Sequence, residues 1–129
     1  VSIVPAAPET VFDAVGESGI SQLVRAFYAQ VPNDEILGPM YPKDDLVAAE
    51  IQLRDFLIYR FGGPDRYLAT RGNPRLRMRH APFVINQVAR DRWLKLMRQA
   101  LHTLDFPAEV STGIDTFFSD TASFLINSH

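Results

Sequence analysis

The sequence predicts an all-α protein. Apolar residues recur at three- and four-residue spacing along most of the chain, the pattern of helices with one buried face. No segment sustains the period-two alternation of a half-buried strand. The nine prolines and seven glycines fall between the periodic stretches, where they end one helix and turn the chain toward the next. With 129 residues, 47% hydrophobic and 22% charged, the chain is sized for a single domain over residues 1–129 with one core.

A short first helix is expected over 9–15, closed near Gly16. A second runs over 18–31, with Ile20, Leu23, Val24, Phe27, Tyr28 and Val31 on one face. Asn33 is placed to cap a brief turn over 34–37, which Gly38-Pro39 breaks. Asp44 or Asp45 opens a longer helix that stops at Gly62-Gly63. Its stripe of Leu46, Ala49, Leu53, Phe56 and Leu57, with Val47, Ile51 and Ile58 on the flank, is more apolar than a surface helix needs. Cover from two directions is expected there, and a flat ligand is one candidate cover.

Pro64 opens a brief helical piece through Ala69, and Gly72 and Pro74 interrupt the chain. A short helix over 76–80 then ends at Ala81-Pro82, because proline steers the residue before it out of the helical region. The helix expected over 86–104 turns Val88, Trp93, Leu94, Leu96, Met97, Ala100, Leu101 and Leu104 inward, with Arg92, Lys95, Arg98, Gln99 and His102 on its wet side. The last, over 107–127, directs Val110, Ile114, Phe117, Phe118, Thr121, Phe124 and Leu125 inward. Helices of this number and length pack as a bundle or as a globin-like sandwich.

Composition removes several function classes. Zero cysteines exclude disulfides, cysteine-held iron–sulfur clusters, thiolate-ligated haem and covalent haem attachment through Cys-x-x-Cys-His. No apolar run approaches the roughly 18 residues a bilayer requires, and Val1 to Pro8 lacks the basic start and long apolar region of a signal peptide, so no membrane partner and a cytoplasmic location are expected. A net charge of -2 argues against nucleic acid as a partner, although Arg66, Arg71, Arg75, Arg77 and Arg79 form a local basic cluster. Such a cluster is either a solvated face or a receptor for paired carboxylates.

Of the three histidines, His102 falls on a wet helix face and His129 is the last residue. His80 alone sits in a compact basic and apolar run. A neutral imidazole there is either a satisfied core residue or a metal ligand. With no cysteine and no second histidine nearby, a multi-ligand zinc site has little to draw on. A lone ligand points to a cofactor that brings its own equatorial ligands. Tyr28 and Trp93 read equally as core aromatics with a satisfied polar tip.

Longer motifs narrow the choice. Phe27-Tyr28-Ala29-Gln30-Val31, Met40-Tyr41-Pro42 before Asp44-Asp45-Leu46, Phe56-Leu57, Gly62-Gly63-Pro64, Arg75-Leu76-Arg77-Met78-Arg79-His80-Ala81-Pro82-Phe83 and Arg90-Asp91-Arg92-Trp93-Leu94 follow in order from about Val11 to Asn127. In these the chain resembles the truncated haemoglobins, specifically their second group. The resemblance implies a two-over-two helical sandwich around haem, with His80 as the proximal iron ligand. It also implies that Tyr28, Tyr41 and Trp93 are the polar aromatics over the opposite face, and that Ala49 stands where many haemoglobins carry a distal histidine. Leu53, Phe56 and Leu57 match pocket walls, with Leu76, Phe83 and Met97 as further contacts and Tyr67 and Arg79 as partners for the haem propionates.

Phe61 stands where the family leads one to expect tryptophan, near the haem edge. Gln52 replaces a common arginine, Asn73 a common histidine, and the usual glycine pair is reduced to Gly16 and Gly19. The implied cofactor is non-covalent haem b, with O2, CO, nitric oxide or peroxide as small ligands. Three donors around one ligand imply a tight grip, suited to storage, sensing or redox work. The alternative is a haem enzyme, a peroxidase or nitric oxide dioxygenase, fed by an external reductase. An oligomer is compatible with the sequence.

Overall fold

A computed structural model of the chain describes residues 10–128, and among these six α-helices follow one another without a β-strand. The expected helix start at Glu9 and the readings of Val1 to Pro8 and of His129 lie outside the described residues. Helix α1, Val11–Gln30, joins the two helices expected at the start, with a kink at Gly16 (φ 69°, ψ 179°). Only glycine adopts that conformation without strain. Beyond the kink Phe12 turns onto the end of α2, where its N–H donates to the Phe61 carbonyl at 2.8 Å.

Three 3₁₀ turns, Val31–Asn33, Gly38–Met40 and Lys43–Asp45, lead to α2, Leu46–Arg60. The expected cap at Asn33 moves to Asp34, because the first of these turns absorbs Asn33 itself. Two short helices follow, α3 (Arg66–Arg71) and α4 (Leu76–His80), the latter entered through Arg75 in the left-handed region at φ 43°. Helix α5, Gln87–His102, is capped by Asn86, whose side chain accepts from Ala89 N–H at 2.9 Å. Helix α6, Ala108–Phe124, completes the set.

Helix α1 packs on α2, and α5 on α6; α1 also meets α5 and α6, so one helix pair lies over the other. Buried aromatic residues tie the pairs together. Phe27 meets Trp93 at 5.1 Å between ring centres, and Trp93 meets Phe118 edge-on at 5.2 Å. Phe61 is wholly buried against Phe117 and Phe118.

Several expected faces differ in depth. Val47 (72% exposed), Ile51 and Val88 lie at the surface, since apolar spacing ranks the faces of a helix but not how far each is covered. Phe124 is half exposed because α6 overruns the core there; its ring lies 4.0 Å beneath the Arg77 guanidinium. Arg92, expected on the wet side, is drawn into an ion pair with Asp34. His102 is exposed as expected. Among the described residues no helix is long and apolar enough to cross a membrane.

Candidate functional site

Tyr28, Tyr41 and Trp93 come from α1, the loop before α2, and α5, and the fold brings them together. The Tyr28 and Tyr41 rings meet edge-on at 5.7 Å. The Tyr41 hydroxyl neighbours both the Tyr28 hydroxyl and the Trp93 indole. An indole N–H only donates, so Trp93 can serve there only as a donor. Burial pushes Tyr28 far above the usual phenol range, helped by the neighbouring Tyr41 and Glu50. Burial also raises Tyr41, against the opposing pull of the neighbouring Tyr28 and Trp93. Both therefore stay protonated, as neutral hydrogen-bonding groups, at ordinary pH.

In the core Leu57 and Met97 are fully buried, Phe56 is nearly so, and Ala49, Leu53 and Leu76 pack partly buried against it. Tyr67 is buried on α3 with its ring edge-on to Phe56 at 5.5 Å. Phe83 stands apart at 44% exposure, 6.4 Å from the His80 ring centre.

His80 is the last residue of α4, and its Nδ1 lies 2.7 Å from the Leu76 carbonyl oxygen. A carbonyl only accepts, so Nδ1 carries the hydrogen and Nε2 keeps its lone pair. That is the tautomer a metal-binding imidazole needs, with the second-shell hydrogen bond already made. Among the described residues no group of three or more histidines and carboxylates is placed to hold a metal. A lone imidazole of this kind would suit a group that brings its other ligands with it. The segment after it is held by Asn127, whose side chain donates to the carbonyls of Phe83 (2.9 Å) and His80 (3.3 Å) and accepts from Ile85 N–H at 2.8 Å.

The arginines divide. Arg66 pairs with Glu17, and the Arg77 Nε donates to the Phe124 carbonyl. Arg79 lies 5.8 Å over the Tyr67 ring, but its Nε and Nη2 donate to the carbonyls of Pro74, Arg71 and Asn73. Arg71, four residues from Tyr67 on the same face of α3, has a buried Nε–H without a hydrogen-bond partner. An orphaned buried donor is costly unless an acceptor meets it, so this corner fits a carboxylate group.

The bacterial-like globin profile matches residues 10–127. The chain belongs to the bacterial-like globins, among the group 2 truncated haemoglobins. It is 34% identical to the group 2 truncated hemoglobin YjbI of Bacillus subtilis, across 90% of this chain and 87% of that one. Among solved structures it is similar to a thermostable hemoglobin from Thermobifida fusca, at 44% identity and a TM-score of 0.88, covering 92% and 97% of the two chains. It is likewise similar to a truncated oxygen-avid haemoglobin from Bacillus subtilis, at 33% identity and a TM-score of 0.86, covering 92% and 99%. This truncated haemoglobin is thus a haem-binding globin of a family that binds small diatomic gases such as O2.

Four residues of the site escape sequence reasoning. Arg71 is one arginine among five in its stretch, and nothing in the spacing marks it. Asp34, Gln30 and Asn127 act through partners 58, 66 and 47 residues away, beyond the reach of local pattern.

Proposed function

We propose that this truncated haemoglobin acts as one domain that holds a single non-covalent haem b through His80 and retains O2 by hydrogen bonding from Tyr41, Tyr28 and Trp93. The observation that carries the reading is the His80 Nδ1 contact with the Leu76 carbonyl, which leaves Nε2 as a ready ligand. When bound, the haem supplies an iron with one open position for a diatomic ligand.

The protein does the rest. Leu53, Phe56, Leu57, Leu76, Phe83 and Met97 provide apolar contact and exclude water, and Ala49 leaves room without donating a proton. Arg71 joins Tyr67 and the remaining donors of Arg79 as partners for the propionates. Burial keeps both phenols protonated, so their O–H groups and the Trp93 N–H are available as donors. A small ligand held this way leaves slowly, which favours storage, sensing or redox work over delivery. The relative from Bacillus subtilis described as oxygen-avid is consistent with that reading. An external reductase is the proposed source of electrons, as the chain has no glycine-rich nucleotide fingerprint.

His80→Ala tests the proposal. The variant should lose haem, or its normal reduced spectrum, and recover on addition of imidazole. An unchanged Soret band at full haem content would overturn the ligand assignment.

A further inference from the structure

The three polar aromatics of the pocket sit on separate segments, so their mutual geometry depends on how those segments are tied. Two ties bracket Trp93 on α5. Gln30, at the end of α1, donates from Nε2 to the Leu96 carbonyl at 2.9 Å. Asp34, just beyond α1, accepts from the Arg92 Nη1 at 2.8 Å, and its side chain is only 7% exposed. The second tie reaches Tyr41 as well. The other oxygen of Asp34 accepts from the N–H groups of Ile36 (3.1 Å) and Leu37 (2.8 Å). From there the Leu37 carbonyl receives Met40 N–H, and Gly38, itself bonded to the Asp34 carbonyl, receives Tyr41 N–H at 3.2 Å. One carboxylate thus organises the turn that delivers Tyr41 and grips the residue beside Trp93.

We propose that Asp34 and Arg92 are positioning residues whose ion pair holds the Tyr41 turn against α5 and so sets how Tyr41 faces Trp93. The functional weight of this latch rests on the ligand-retention reading above. A partly buried carboxylate with three donors has a defined geometry, and Arg92, 26% exposed on its side chain, spans the gap with one arm of a planar fork. Removing the pair leaves the helices in place but frees the turn to shift against α5.

Asp34→Asn separates the two roles of the carboxylate. The amide oxygen of the new side chain still caps Leu37, while the charge that holds Arg92 is gone. Arg92→Met keeps the apolar stem, and Arg92→Lys restores a charge without the fork. The chain's one tryptophan gives a single indole N–H signal in proton–nitrogen NMR of the reduced protein as purified, saturated with CO.

That signal should move upfield in Asp34→Asn and Arg92→Met, and less in Arg92→Lys, with helix content unchanged. O2 release should speed up roughly three- to tenfold in the first two variants. In a Trp93→Phe background neither substitution should add to the rate, because the group being positioned is already gone. An unmoved indole signal in both variants would overturn the latch. Equal acceleration with and without Trp93 would overturn it too. A moved signal with unchanged O2 release would uphold the latch and overturn Trp93 as a group that governs ligand release.

Discussion

Tyr41 is a point of convergence: its ring meets Tyr28 edge-on, and the Tyr28 hydroxyl and the Trp93 indole both neighbour its oxygen. Losing a donor network to a partly charged ligand removes on the order of 1 to 3 kcal/mol. Trp93→Phe should therefore speed O2 release about tenfold or more, each 1.4 kcal/mol being about a factor of ten, while CO release changes less. Tyr41→Phe should do less than its central place suggests, because the Trp93 N–H and the Tyr28 O–H remain as donors. Burial holds both phenols above their usual range, so O2 release should also be flat with pH up to about 10, where an ordinary phenol ionises. Stopped-flow rates for the parent and these two variants, measured across pH, check all of this; three equal rates would show that the polar groups point elsewhere. Arg71 carries a second expectation. Arg71→Ala, Arg79→Ala and Tyr67→Phe should each hasten haem transfer to excess apomyoglobin, by about 0.2 to 1 kcal/mol for a partly exposed pair. Rates equal to the parent in all three would assign the orphaned Nε–H to some other acceptor.

At the scale of elements, α4 is too short to be stable by itself, since an isolated helix of a single turn or two does not offset the cost of its nucleus. Its position is set by side chains: Arg79 to the loop before it, Arg77 to the end of α6, Asn127 to the segment after it. The ligand candidate at its end is thus held from three sides. The end of α2 depends on a different device, the close approach of Phe12 to Gly63. A Cβ on Gly63 would come within 2.7 Å of the Phe12 ring and 2.8 Å of the Ile58 carbonyl. Since the carbonyl belongs to helix backbone and cannot step aside, Gly63→Ala should cost about 1 to 3 kcal/mol. Urea unfolding of the two proteins measures it, and an unshifted midpoint would mean that the α1 kink absorbs the methyl group.

Across the whole molecule, the helices were legible because burial imposes their period, and α4 was placed residue for residue because Pro82 ends it. The second opening helix also falls near where expected, with Gly16 marking the kink that joins it to the first, whose expected start at Glu9 lies outside the described residues. Depth was less legible. Val47, Ile51, Val88 and Phe124 share the apolar character of their neighbours, and only the three-dimensional arrangement shows which of them are covered. For the candidate site, single residues left alternatives open at His80, Tyr28 and Trp93, and only the longer motifs singled them out. Asp34 and Arg92 were invisible because charged residues default to solvent, and pairing across 58 positions leaves no local trace. Asn127 belongs to the same class, and its reach bears on how the protein is made. A growing chain exposes His80 well before residue 127, 47 positions later, has been added. Until then the bonds from Asn127 to the stretch between His80 and Ile85 are missing, so a chain cut before Asn127 should take up haem more weakly than the whole one.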